Sequence, residues 1–173
     1  MLRWAIIYCS PKQIDPVMRI VNDFDLFAHR FTMEEGVVPM PDSGGLSERD
    51  YILTKFTDGY YKILVAMKCL DEGIDIPAAR EAVLMCSSGN PREYIQRIGR
   101  ILRRCEGKDQ ADLHDIIVVP SLSDLPPELR KVERSVFRKE LARCREIAIL
   151  ANNSADALSA LDDVILRFGG TTP

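Results

Sequence analysis

The chain has 173 residues, a formal net charge of −3 and 46% hydrophobic residues, enough apolar content to fill a core and to exclude a disordered chain. No apolar run approaches the roughly 18 residues that span a bilayer, and the N-terminus lacks a signal-peptide layout, so the expectation is a cytoplasmic protein with no membrane partner. Five scattered cysteines without a C-x-x-C pair read as reduced thiols, with Cys9, Cys69 and Cys86 in apolar stretches. His29 and His114 have no cysteine or histidine at ligand spacing, and no metal site is expected. The weak overall acidity hides a segregation of charge. Residues 92–108 carry six basic side chains against two acids, and residues 128–146 carry seven against four, so a polyanion partner remains compatible with the balance.

Trp4 to Tyr8 reads as a buried strand that meets a loop at Cys9-Ser10-Pro11. Asp15-Pro16 resembles an N-cap with proline at the first helical position, and Val17, Ile20, Val21 and Phe24 follow at helical spacing. A second strand is expected within Leu26–Phe31. The breaker-dense stretch from Val38 to Gly45 reads as a surface loop. Ser47-Glu48-Arg49-Asp50 opens a helix in capping-box style, and Asp58-Gly59 closes it. Further strands are expected at Lys62–Met67, Ala82–Cys86 and Asp115–Val119, with a helix starting at Asn90-Pro91 before the last of them. Strands alternating with helices argue for a parallel α/β sheet. Pro120–Pro127 reads as a linker. Leu129, Val132, Val136, Leu141, Cys144 and Ala148 then trace a helical stripe, Asn152-Asn153-Ser154 interrupts it, and a second helix runs toward Gly169-Gly170. His29 is expected in a strand, His114 in a loop, and Trp4 in the core or at its packing edge.

The most informative stretch is Pro91–Arg104. At about 100° per residue, with Gln96 at zero, Arg100 falls near +40° and Arg103 near −20°. Tyr94, Ile95, Ile98, Ile101 and Leu102 lie on the opposite side. One face is thus expected to pack on the sheet, while two guanidiniums and an amide project from the other. Gly99 flanks that polar stripe and permits close approach of another surface. Paired guanidiniums on a rigid element suit phosphate oxygens, being permanently charged and fork-shaped. Upstream, the strand Ile63–Met67 leads into a loop holding Glu72-Gly73 and Asp75, at the carboxyl end of the sheet where ligands of parallel α/β folds gather. Gly73 supplies backbone freedom there, and Asp75 has the chemistry to accept from a ribose hydroxyl.

Leu70-Asp71-Glu72-Gly73-Ile74-Asp75-Ile76-Pro77 resembles motif V of superfamily-2 helicases, and Gln96-Arg97-Ile98-Gly99-Arg100-Ile101-Leu102-Arg103 resembles their motif VI. The wording is more similar to the DNA-translocating branch, which includes restriction-enzyme motor subunits and repair helicases, than to RNA DEAD-box proteins. The first strand through Ser10 fits motif IV. The resemblance implies an α/β RecA-like parallel sheet flanked by helices over residues 1–120, the second motor domain, followed by a linker and helical extension over residues 121–173.

It also implies site roles. Arg100 and Arg103 match the arginine fingers that reach nucleotide phosphates across an interface, and Gln96 an accessory contact, with Arg97 in support. Gly73 and Asp75 match positions beside the nucleotide. Ser10, Lys12, Thr32 and Lys68 match loop contacts to a nucleic-acid backbone. Met67 departs from the pattern, standing where a threonine is common. The chain also lacks a G-x-x-x-x-G-K-[S/T] loop and an acidic metal box: Gly107-Lys108 is followed by Asp109, and Asp71-Glu72 belongs to motif V. ATP and Mg2+ are therefore expected to be held mainly by an absent N-terminal RecA-like domain of the same longer protein, with DNA as substrate and RNA as the alternative. The fragment alone is expected to be inactive. The competing reading is a non-catalytic nucleic-acid-binding or protein-interaction module on the same fold. A dinucleotide oxidoreductase is disfavoured because no G-x-G-x-x-G follows a strand. For the basic helix beyond Pro127 two readings stand: docking through its apolar stripe, or direct DNA contact through Arg130, Lys131, Arg134, Arg138 and Lys139.

Overall fold

The computed structural model describes residues 4–32, 34–41, 44–67, 76, 78–85, 98–99, 103–121 and 125–168. The chain divides into two compact units, one of Met1–Cys86 with Gln96–His114 and one of Ser87–Ile95 with Asp115–Pro173.

The first unit is built on a five-stranded sheet: β1 (Ala5–Tyr8), β2 (Ala28–Phe31), β3 (Ile63–Ala66), β4 (Glu81–Leu84) and β5 (Asp112–Asp115), in the spatial order β2-β3-β1-β4-β5. β1 pairs in parallel with β3 and with β4, and β2 pairs in parallel with β3, so that Tyr8, Phe31 and Leu84 all line up with or beside Ala66. The central strands β1 and β3 are buried at every position, which is why both read as unbroken apolar runs rather than alternations.

Helix α1 (Ile14–Asp23) lays Ile14, Val17 and Val21 on one face of this sheet, against Ala5, Ile7, Ile63 and Val65. The intervening residues Ile6 and Leu64 point to the other face, as strand alternation requires, and are fully buried there. Helix α2 (Glu48–Thr57) packs against β2 and buries Ile52 and Phe56. Its start is as expected: Ser47 accepts the Asp50 N–H at 3.1 Å, and its hydroxyl donates to the Asp50 carboxylate at 2.7 Å. Gly59, at φ +75°, turns the chain out of α2 in a conformation that a Cβ disfavours.

Three boundaries differ from the sequence reading. α1 begins at Ile14 rather than after an Asp15 cap, because a 3-10 turn (Pro11–Gln13) precedes it. Ser10 closes that turn by donating its backbone N–H and its hydroxyl to the Gln13 side-chain carbonyl, at 2.9 and 2.7 Å. β5 spans Asp112–Asp115 instead of Asp115–Val119. Its start is set where the Asp112 N–H donates to the Arg80 carbonyl at 2.9 Å, a long-range pairing invisible to a hydropathy pattern. His114 therefore lies in a strand, 3.8 Å from Glu81, and not in a loop. Finally, Arg103 and Arg104 are not helical. The tight turn from Cys105 to Lys108, with Gly107 at φ +73°, takes the chain out of a helical path just beyond them. Ile98 and Gly99 are helical, Ile98 buried and Gly99 facing open space.

The second unit is a helical hairpin. Helix α3 (Pro127–Leu150) and helix α4 (Ser154–Phe168) are joined by three residues and share a core of Phe137, Leu141, Cys144, Ala148 and Leu161, with Ile117 packed against it. The expected apolar stripe is thus half right. Leu141, Cys144 and Ala148 are buried, whereas Leu129, Val132 and Val136 are exposed; Phe137 replaces them as the anchor. Beside this core, buried Arg143 donates to Asp115 and, at 2.7 Å, to Glu140. The Cys144 thiol donates to Asp115 at 3.1 Å. Burial and the Asp115 carboxylate raise the Cys144 pKa above the ordinary thiol range.

The folded thiol therefore keeps its proton where an unfolded one loses it, so stability associated with this group is intact below an ordinary thiol pKa of about 8.5 and declines as pH rises beyond it. Between pH values on either side of that pKa, the denaturation midpoint is expected to fall more in the native chain than in Cys144→Ala. Cys144 is also expected to resist alkylation until the chain is unfolded. Phe137→Ala is expected to cost about 3–5 kcal/mol, read by chemical denaturation.

Candidate functional site

Parallel pairing in register places the carboxyl ends of β2, β3, β1 and β4 side by side. Three backbone bonds carry the register one step past the strands: Met67 N–H to Phe31 O (3.2 Å), Cys9 N–H to Ala66 O (3.0 Å) and Met85 N–H to Tyr8 O (2.9 Å). Ser10, Lys12 and Thr32 accordingly emerge along one edge of the sheet, the edge at which β3 ends in Met67. In open parallel sheets this is the edge where ligands bind.

Lys12 is exposed on the 3-10 turn. Ser10 is half-buried with its hydroxyl proton engaged by Gln13, so that hydroxyl must change partners to donate to a ligand. Thr32 is 5% exposed and is a local hub. Its N–H and hydroxyl both donate to the Glu35 carboxylate, at 2.6 and 3.1 Å; its hydroxyl oxygen accepts the Glu34 N–H at 3.1 Å; and its carbonyl accepts from Arg49 at 3.3 Å. A carboxylate thus already occupies the Thr32 donors that a phosphate oxygen would use. The Arg49 guanidinium lies over the Phe31 ring, 5.9 Å from its centre.

Arg103 is exposed just before the 105–108 turn. Lys68, Gly73, Asp75, Gln96 and Arg100 lie outside the described residues. The sequence reading did not anticipate Arg80. Its guanidinium sits 5.4 Å from the Trp4 ring and donates to the Gly107 carbonyl at 3.0 Å, while its backbone N–H donates to the Trp4 carbonyl at 2.8 Å. Arg80 therefore ties β1's entry to the turn that follows Arg103. No linear motif reports this, since its partners are 27 and 76 residues away. Lys108, which follows Gly107, is buried in that turn and its pKa is lowered by desolvation. It is thus a packed side chain rather than a phosphate-cradling lysine. Among the described residues no group of three or more metal-ligating side chains forms. No helix there is long and apolar enough to cross a membrane.

A parallel five-stranded sheet with flanking helices is the architecture of a RecA-like helicase C-terminal domain of superfamily 2. Residues 5–105 match the family described as Helicase conserved C-terminal domain, and the chain belongs to that family. Over 86 residues it is 42% identical to the DNA 3'-5' translocase XPB2 of Sulfurisphaera tokodaii, covering 50% of this chain and 19% of that protein. Over 100 residues it is 33% identical to the ATP-dependent RNA helicase dbp8 of Aspergillus terreus, covering 57% and 17%. The chain thus spans about a fifth or less of the length of these relatives. Among solved structures, the C-terminal part of the Fun30 ATPase domain superposes with a TM-score of 0.55 at 16% identity, over 77% of this chain and 47% of that one, which shows the shared fold.

Arg80→Ala removes both the carbonyl bond and the ring contact. It is expected to lower stability by about 1–2 kcal/mol in denaturant titration, and to speed amide hydrogen exchange in residues 105–108 more than in β1.

Proposed function

We propose that this chain is the second motor domain of an ATP-dependent DNA helicase or translocase, inactive by itself and completed by an N-terminal RecA-like domain. The motor domain corresponds to residues 1–120, and residues 121–173 form its linker and helical extension. The alignment of Ser10, Lys12 and Thr32 along the carboxyl edge is the observation that carries this reading. It brings residues from two separate loops to the edge at which β3 also ends. DNA is favoured over RNA because the 42% identity to a DNA translocase exceeds the 33% to an RNA helicase.

The donor set of the chain suits a contributor to a triphosphate site and not a complete one. Arg100, Arg103 and Gln96 are cationic or neutral donors for phosphate oxygens, whereas Lys108 is buried in a turn and no phosphate-loop sequence is present. ATP with Mg2+, held mainly by the first domain, supplies the phosphoryl group and its counter-charge. Arg100 and Arg103 stabilise the negative charge that spreads over equatorial oxygens, a contribution on the order of 10³–10⁵ in rate for a finger supplied across an interface. Gln96 positions, Asp75 accepts from a ribose hydroxyl, and Gly73 lets the backbone approach. Ser10, Lys12, Thr32 and Lys68 hold phosphates and sugars, which gives little sequence preference and strong salt dependence. A cytoplasmic setting fits this role.

Nucleic-acid-stimulated ATPase activity of the full-length protein tests the reading. Arg100→Ala and Arg103→Ala are each expected to reduce turnover by at least about 10³-fold while leaving the circular dichroism spectrum unchanged. Full activity in both variants removes the finger assignment. The 173-residue chain alone is expected to hydrolyse no ATP, and robust turnover by it contradicts the two-domain reading.

A further inference from the structure

Helix α3 is more basic than its packing demands. Its buried residues Phe137, Glu140, Leu141, Arg143, Cys144 and Ala148 all lie from Phe137 onward, while residues 127–136 are exposed apart from half-buried Glu133. With Leu129 at zero and about 100° per residue, Arg130, Lys131, Arg134 and Arg138 fall between roughly 100° and 200°. All four side chains are in exposed positions. The helix places no carboxylate in that sector: Glu128 and Glu146 fall near 260°, and Glu133 and Glu140 within about 40° of zero. Arg145 continues the stripe, but it lines a hollow against α4 together with Leu141, Leu158 and Asp162. At the other end, Arg130 is steadied by donating one N–H to the Leu125 carbonyl at 2.9 Å.

We propose that the Arg130–Lys131–Arg134–Arg138 stripe is a second nucleic-acid contact, gripping a DNA phosphate backbone without reading its bases. The proposal rests on the reading that the protein works on nucleic acid, but on residues separate from those assigned to the carboxyl edge of the sheet. Three of the four cations are arginines, whose planar forks match phosphate oxygens. A protein partner is disfavoured because, over the turns from Glu128 to Lys139 that carry the four cations, the sector holds no aromatic or branched aliphatic side chain to make a desolvated hot spot. A membrane surface is disfavoured because the exposed apolar residues Leu129, Val132 and Val136 fall at roughly 300–360°, on the opposite side of the helix, so that burying them in lipid turns the cations away. A polyanion needs neither an anchor nor an apolar face. It gains from counterion release at every phosphate neutralised.

The test is fluorescence anisotropy of the 173-residue chain with two labelled DNA duplexes of unrelated sequence, across KCl from about 50 to 200 mM. The variant replaces Arg130, Lys131, Arg134 and Arg138 with glutamine, which keeps helix propensity, and circular dichroism checks the fold. If the stripe makes about four phosphate contacts, it contributes roughly −3.6 to the slope of log K against log salt. Loss of most of that slope, with equal loss of affinity for both duplexes, is the expected result. Unchanged affinity and slope overturn the inference, as does a variant whose only loss is in binding polyglutamate or anionic phosphatidylserine vesicles. The two readings fail separately. Altered DNA binding in the stripe variant, alongside normal ATP turnover in full-length Arg100→Ala and Arg103→Ala, sustains this contact and removes the finger assignment. Unaltered binding with inactive finger variants does the reverse.

Discussion

Everything about the candidate site depends on the parallel register of β2, β3 and β1. Parallel strands must end at the same edge, and here hydrogen bonds just beyond the ladder, from Met67 to Phe31 and from Cys9 to Ala66, extend that alignment into the loops. A one-residue slip would turn Ile6 and Leu64 toward the α1 face and send Ala5, Ile7, Ile63 and Val65 to the other, exchanging two packed cores at once. Burial of both faces therefore specifies the register, and the register brings Ser10, Lys12 and Thr32 together although they are up to 22 residues apart in the chain.

Polar groups around this edge are stabilised locally. Gln13 closes the turn after β1, Glu35 takes both donors of Thr32, and Arg49 bridges the Phe31 ring and the Thr32 carbonyl. Such bonds hold loop backbones that would otherwise leave buried donors unpaired, at a cost of about 1–3 kcal/mol each. They also set the condition for ligand binding at Thr32, since an incoming phosphate must displace a carboxylate already in place. Arg80 performs the equivalent task at the far end of the motif VI segment, through a ring, a carbonyl and a strand partner.

The helical hairpin follows a different logic. Its core is small, and buried Arg143 lies between Asp115 and Glu140 beside it. A buried guanidinium is tolerable only with such partners, and removing one of them is more damaging than replacing the whole cluster with apolar groups. Packing absorbs α3 from Phe137 onward. The turns before it have an apolar side and a cationic side, both in exposed positions.

Much of the fold was legible in the residues alone. The apolar runs at Ala5–Tyr8 and Ile63–Ala66, the Ser47–Asp50 cap and the Asp58-Gly59 stop are local signals, because burial on both faces, capping and left-handed turns each leave a mark within a few positions. The spacing of the motif V and motif VI residues likewise sufficed to indicate the family. What only tertiary structure decided was everything set by distant partners. β5 begins where Arg80 offers a carbonyl, not where the chain is most apolar; α1 begins two residues early, after a 3-10 turn that Gln13 closes on Ser10; and Arg103 is non-helical, beside the turn that Arg80 and Gly107 fix. Periodicity records which side of an element is apolar. It does not record which neighbour arrives to cover that side: by helical angle Leu129 and Val136 stand about 120–140° from Leu141, on another face of the helix, and only the Leu141 face is covered.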